Sequence, residues 1–201
     1  MSGLLSRTEL LRRGAGGGAA LVASGTGLAA LAAPATADAV PDGDLAYLRL
    51  LVAAELLKAD FASSALRTGK LSGSTARLLR RMRSDDGAHY KRLAALMTDA
   101  GQQAATAADI DFSYPSGTFK STSSIARRGF RIATVALGAY LGAIENVQTS
   151  SLRLPLAQIA ANEAQQVAAL APLAGRPSVG AAFAPALPIA VVSAALDGYE
   201  S

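Results

Sequence analysis

Asp85-Asp86-Gly87-Ala88-His89-Tyr90 sits in the middle of a long helical pattern. Leu78 and Met82 mark one face upstream, and Leu93, Leu96 and Met97 continue it downstream. Steps of four and three residues run 78, 82, 86, 89, 93, 96, so Asp86 and His89 fall on the apolar seam. A carboxylate and the only histidine of the chain are thereby aimed at a core. Burying a bare carboxylate is costly unless it is paired or coordinates a metal. Asp-x-x-His spacing puts both side chains on one helical face, close enough to share one ion. Taken alone, such a pair is more often hydrogen-bonded than metal-ligating, so the other helices must supply matching acids for a metal reading to stand.

The composition favours helices. The chain has 201 residues, enough for one domain with a real core, and 51% are apolar, mostly Ala and Leu, with 5% aromatic. It has no cysteine, which excludes disulfides, thiolate zinc sites and cysteine nucleophiles. No Gly-x-Ser-x-Gly elbow is present, and the one histidine is already on the seam, so a serine triad is not credible.

The first residues read as an address rather than as fold. Arg7, Arg12 and Arg13 precede an apolar, Gly/Ala-rich run from Gly14 to Ala33, followed by the small-x-small stretch Ala35-Thr36-Ala37. The Arg12-Arg13 pair before a mildly apolar run resembles a twin-arginine export signal. The expectation is a cleaved signal peptide over residues 1–37, a mature domain over 38–201 starting at Asp38 or Val40, and a periplasmic or extracellular location. An uncleaved membrane anchor is the alternative, for which a run so rich in Gly and Ala is poorly suited. Loss of residues 1–37 removes three arginines and one glutamate and lowers the net charge from +4 to +2. That balance, with export, argues against nucleic acid as a partner of Arg77, Arg80, Arg81, Arg83 and Arg127-Arg128, which read as solvated helix faces.

Four long helices follow. Asp42 or Asp44 can cap the first, which runs to about Leu66 with the stripe Leu48, Leu51, Val52, Glu55, Ala59, Ala62. Gly69 and Leu71-Ser72-Gly73-Ser74 make a turn, and the second helix runs from Ser74 to Ala100 before Gly101. Residues 102–123 lack a helical period. Some twenty residues reach up to ~70 Å when extended, enough for a crossover along the whole bundle, with the second and third helices then parallel. The third helix is expected from Ser123-Ser124 to Leu152, with Val135, Ala139, Gly142, Glu145 and Thr149 on one face, and Gly138 and Gly142 admitting a close neighbour. Pro155 suits the first turn of the fourth, whose stripe is Leu156, Ile159, Glu163, Gln166, Val167, Leu170, ended by Pro172. A Pro-rich tail leads to a short helix over Ile189–Leu196 that covers one side.

Folding each hairpin at its turn brings the acids level. Glu55 lies as far before Leu71 as the Asp86/His89 pair lies after it, and Glu145 stands to Leu154 much as Glu163/Gln166 stands to Pro155. Each hairpin then sets one Glu opposite an acid-x-x-(His or Gln) pair. This resembles the ligand plan of carboxylate-bridged two-metal bundles, in which two helices give one Glu each and two give Glu-x-x-His. Over residues 42–171 the chain resembles the ferritin-like superfamily, and within it the exported bacterial ferritin-like domain proteins related to desiccation-associated proteins. The resemblance implies an all-α, ferritin-like four-helix bundle with a metal site of Glu55, Asp86, His89, Glu145, Glu163 and Gln166. Gln166 stands where a second histidine is expected, Asp86 replaces the commoner Glu, and Asp85 is a substitute ligand at a poorer angle.

Two functions are consistent with that likeness. One is a di-iron or di-manganese centre reacting with oxygen or peroxide, with Glu55, Glu145 and His89 terminal, Asp86 and Glu163 bridging, and Tyr47, Tyr90 or Tyr140 nearby as packing or electron-donating residues. The other is a metal-free, degenerate bundle with a structural, stress-protective or binding role, in which Gln166 bonds the carboxylates. Assembly into a homo-oligomer is left open.

Overall fold

The computed structural model describes residues 39–200, so the expected export segment 1–37 lies outside the described residues. The chain forms α1 (Asp42–Arg67), α2 (Gly73–Asp99), α3 (Thr122–Asn146), α4 (Ser150–Leu173) and α5 (Ile189–Asp197). Leu48, Leu51 and Leu57 of α1 are essentially sealed from solvent, as are Leu93 and Met97 of α2, Ile125 of α3, and Leu156 and Leu170 of α4. Each such side chain contributes roughly 1.5–3 kcal/mol of burial, and together they close one core between the helices.

The helix ends follow local chemistry where the sequence supplies it. Gly101, at φ +71°, ends α2 in the left-handed conformation that glycine adopts without penalty. The Gln102 amide donates to Met97 O at 2.8 Å and the Gly101 amide to Thr98 O at 2.9 Å, which satisfies the last carbonyls. Ser121 opens α3 by accepting from the Ser124 amide while Ser124 Oγ accepts from the Ser121 amide, a reciprocal cap.

The turn between α3 and α4 differs from expectation. α3 ends at Asn146, not Leu152, and α4 begins at Ser150, so Pro155 lies inside α4 rather than in its first turn. The cause is Asp44. It does not cap α1, whose N-cap position is Pro41. Its buried carboxylate instead accepts from the Gln148 amide at 3.0 Å and the Thr149 amide at 2.8 Å. It thereby takes up the orphan donors where the chain reverses. Burial pushes the Asp44 carboxyl up, but hydrogen bonds from Thr149 and Gln148, with the charge of Arg153, hold it below the usual carboxylate range.

The same contacts give the topology. α1 packs closely on α2 and α3 on α4, while α1 also meets α3 and α2 meets α4. Asp44 ties the start of α1 to the end of α3, and Thr122 Oγ1 at the start of α3 donates to Lys70 O beside the start of α2 at 3.1 Å. The starts of α2 and α3 therefore share one end of the bundle, the two helices run parallel, and residues 100–121 cross its length, as expected. Tyr90 OH anchors this crossover by donating to Ala105 O at 3.0 Å, and Tyr114 OH by donating to Asp60 at 2.7 Å. The tail then returns over α3, where Leu187 N donates to Gly138 O at 2.9 Å. A Cβ on Gly142 would stand 2.2 Å from Leu187 O, so the two glycines let the tail backbone lie directly on the helix. α5 follows it and packs on α3 and α1 through Val192 and Leu196. Among the described residues, no helix is long and apolar enough to cross a membrane.

Candidate functional site

Three helices place a carboxylate at one level of the core. Glu55 comes from α1, Asp86 from α2 and Glu163 from α4, and each is at most 1% exposed. Each has a polar residue one turn on, at i+3: Lys58, His89 and Gln166. Lys58, 3% exposed, lies among all three acids. Its Nζ donates to Glu163 Oε1, pairs with Asp86 Oδ1 at 2.8 Å and donates to Glu55 Oε2 at 3.4 Å. His89 Nδ1 sits 3.2 Å from Glu163 Oε1 and 3.5 Å from Glu55 Oε2. Neither contact has good hydrogen-bond geometry. Tyr140 of α3, fully buried, donates to Glu55 Oε1 at 2.6 Å. Gln166 Nε2 donates to Asp86 Oδ1 at 3.0 Å and to Asn162 Oδ1 at 3.1 Å.

Charge in a core moves proton affinities strongly. Burial would lower the Lys58 pKa, but Glu55, Glu163 and Asp86 more than reverse this and raise it, so the ammonium stays charged. Burial would also lower that of His89, and its contacts with Glu163 and Glu55 lift it to about 9. Asp86 is raised to about 6, by burial first and by repulsion from Glu55 and Glu163, with Lys58 pulling the other way. Glu55 feels burial as well, yet Lys58, His89 and Tyr140 hold it below the usual range. Burial and the neighbouring acids, Glu55 foremost, hold the Tyr140 phenol neutral.

The expected site residues Glu55, Asp86, His89, Glu163 and Gln166 thus converge. Glu145 does not: it is exposed on α3. Because the real turn centres on Gln148, the α3 residue level with Glu163 is near Ala133, which is buried and carries no ligand. Asp85 is no substitute either, since it pairs with Arg81 at 2.9 Å on the outer face of α2. Tyr47 and Tyr90 are half-buried, and Tyr90 is spent on the crossover. Of the three tyrosines expected near the site, Tyr140 is the one that reaches a ligand residue, Glu55, whereas Lys58 is absent from the expected set. The available signal was the Glu55-x-x-Lys58 spacing, which repeats the i, i+3 pattern of Asp86/His89 and Glu163/Gln166.

Ligand atoms of Glu55, Asp86, His89 and Glu163 all lie within 4.8 Å of one another, and this set could hold a metal ion. The family model of the ferritin-like domain matches residues 43–176, more than half of the chain. The chain belongs to the ferritin-like domain family. No curated protein matches it. Against the two-metal ferritin-like plan, the donors are incomplete. Among the described residues α3 gives Tyr140 where a carboxylate is needed, α4 gives Gln166 in place of histidine, and an ammonium stands among the remaining acids. These residues do not fit a pair of ions. They offer at most one position, which Lys58 contests.

Proposed function

We propose that this ferritin-like protein holds its bundle centre with an internal cation, Lys58, in place of metal, and acts as a structural or ligand-binding module rather than an oxidase. One observation carries the reading: Lys58 Nζ meets a carboxylate from each of α1, α2 and α4. A divalent ion entering the site would have to turn the ammonium out of its ion pairs and leave it unpaired in the core, which costs several kcal/mol. The polar residues Tyr140 and Gln166 spend their donors on Glu55 and Asp86, as a hydrogen-bonded cluster requires.

A second reading has its own support. Asp86 Oδ2, Glu163 Oε2 and Gln166 Oε1 are buried without a donor. An oxygen-rich set with one imidazole suits a single Fe(II) or Mn(II), held by Glu55, Asp86, His89 and Glu163. Such an ion would supply oxygen or peroxide chemistry. The metal content of protein purified from iron- and manganese-supplemented cells separates the two. The expected result is no stoichiometric metal; one ion per chain would favour the second reading, and two would defeat both.

Export belongs to the same proposal. Its support is the basic start, the apolar run and the Ala35-Thr36-Ala37 stretch. Mapping the N-terminus of protein recovered outside the cytoplasmic membrane should give Asp38 or a close neighbour; the full-length chain in the membrane fraction would show an anchor instead.

A further inference from the structure

Two cavities open side by side along α3 and share Arg128 and Arg131. One, of about 220 Å³, adds Arg127 and the hydroxyl residues Ser116, Thr118 and Ser124. The other, of about 380 Å³, is walled chiefly by Leu57, Phe130, Ile132, Val135, Ala195 and Leu196. Arg128 is fixed at their junction. Its Nη1 donates to Tyr199 OH at 3.2 Å, and its guanidinium lies 5.7 Å over the Tyr199 ring. Arg127 and Arg131, one helical turn apart, are exposed.

We propose that the paired cavities bind a single-chain amphiphile with a phosphate head, the head among the three guanidiniums and the chain along the apolar groove. Guanidinium forks match phosphate oxygens two at a time, and the Tyr199 contacts hold one fork in place before any ligand arrives. The groove sits at the small end of the roughly 300–1,000 Å³ usual for ligand sites, which suits one chain rather than two. Arg128 and Arg131 line both cavities, so a head held by them places its chain beside the apolar walls. Charge also selects the occupant. The chain's own apolar run over 14–33 follows Arg7, Arg12 and Arg13, which the arginine mouth would repel. The site shares no residue with the Lys58 cluster, so either reading can fail alone.

Calorimetric titration of the full chain with dodecyl phosphate, below its micelle concentration, tests this. The expected result is one molecule per chain. Inorganic phosphate, which lacks the chain, and dodecyltrimethylammonium, which reverses the head charge, should bind at least about tenfold more weakly. Arg127→Glu with Arg131→Glu should weaken dodecyl phosphate binding about 10- to 100-fold, and Ala195→Trp, which fills the groove, by a similar factor. Should Ala195→Trp fail to fold, the exposed arginine pair still decides. Equal binding of either control ligand, or unchanged binding by the folded arginine variant, overturns the proposal. Binding to anionic phospholipid vesicles without binding of free dodecyl phosphate does so too, since it marks a surface patch rather than a cavity.

Discussion

Lys58→Met lowers the free energy of unfolding by about 3–5 kcal/mol, the usual consequence of removing one partner from a buried ion-pair cluster. Methionine keeps most of the side chain's volume and removes only its charge. Glu55, Asp86 and Glu163 then face one another in the core with His89 as the remaining cation. Against a total stability of roughly 5–15 kcal/mol, such a loss is easily read in denaturant or thermal melts. The variant should also gain what the wild type lacks. With the ammonium gone, the four ligand residues regain an open ion position, and Mn(II) at about a hundred times its dissociation constant should return about 2.7 kcal/mol. Melts of both proteins with and without Mn(II) check this. A variant as stable as the wild type, or a wild type that gains equally from Mn(II), would remove Lys58 from its role.

His89 sets the second large effect, a fall in stability on the alkaline side. Burial alone would lower its pKa, but Glu163 and Glu55 raise it from 6.5 to about 9. The folded state thus holds this proton more tightly than the unfolded chain does. The stabilisation is complete below pH 6.5 and is lost as pH rises through 9. Discounted for the ring's partial exposure, it is on the order of 2 kcal/mol. His89 is the only histidine, so no second imidazole titrates in that window. Below it, Asp86, raised to about 6, and Glu55, lowered, pull in opposite directions, so the alkaline arm is the one to read. Denaturant midpoints between pH 7 and 9, above the Asp86 step and below the tyrosines, should slope downward for the wild type and run nearly flat for His89→Gln; parallel slopes would refute the pairing.

The parts legible in the sequence are those set within one helix or one turn. Asp86 and His89 break an apolar stripe at helical spacing, as do Glu55 and Glu163, and that interruption places the three acids in the core with His89 partly buried beside them. Gly101 and the serines at 123–124 mark helix ends to within a few positions, because caps act on nearby residues, although the N-cap itself is Ser121. The α3–α4 turn is different. It is fixed by Asp44, over a hundred residues earlier in the chain, and no local pattern around Pro155 reports that. The misplaced turn carried Glu145 into the expected site although it is exposed. Lys58 escaped for another reason. The apolar stripe steps from Glu55 to Ala59 and passes over position 58, and lysines are almost never fully buried unless paired. Two of its three partners, Asp86 and Glu163, lie on other helices, so only the assembled bundle shows why it is inside.

The ammonium of Lys58 can be observed directly. In protein labelled with ¹⁵N at the lysine side chains, the surface groups of Lys70, Lys91 and Lys120 exchange protons with water quickly, whereas a buried, ion-paired ammonium is protected. One persistent Nζ ammonium resonance is predicted at neutral pH, lost in Lys58→Met. It should remain when excess Zn(II), a diamagnetic ion with an affinity for His, Asp and Glu, is added. Its disappearance on adding one Zn(II) per chain, or a neutral amine in its place, would contradict the claim that Lys58 occupies the ion position.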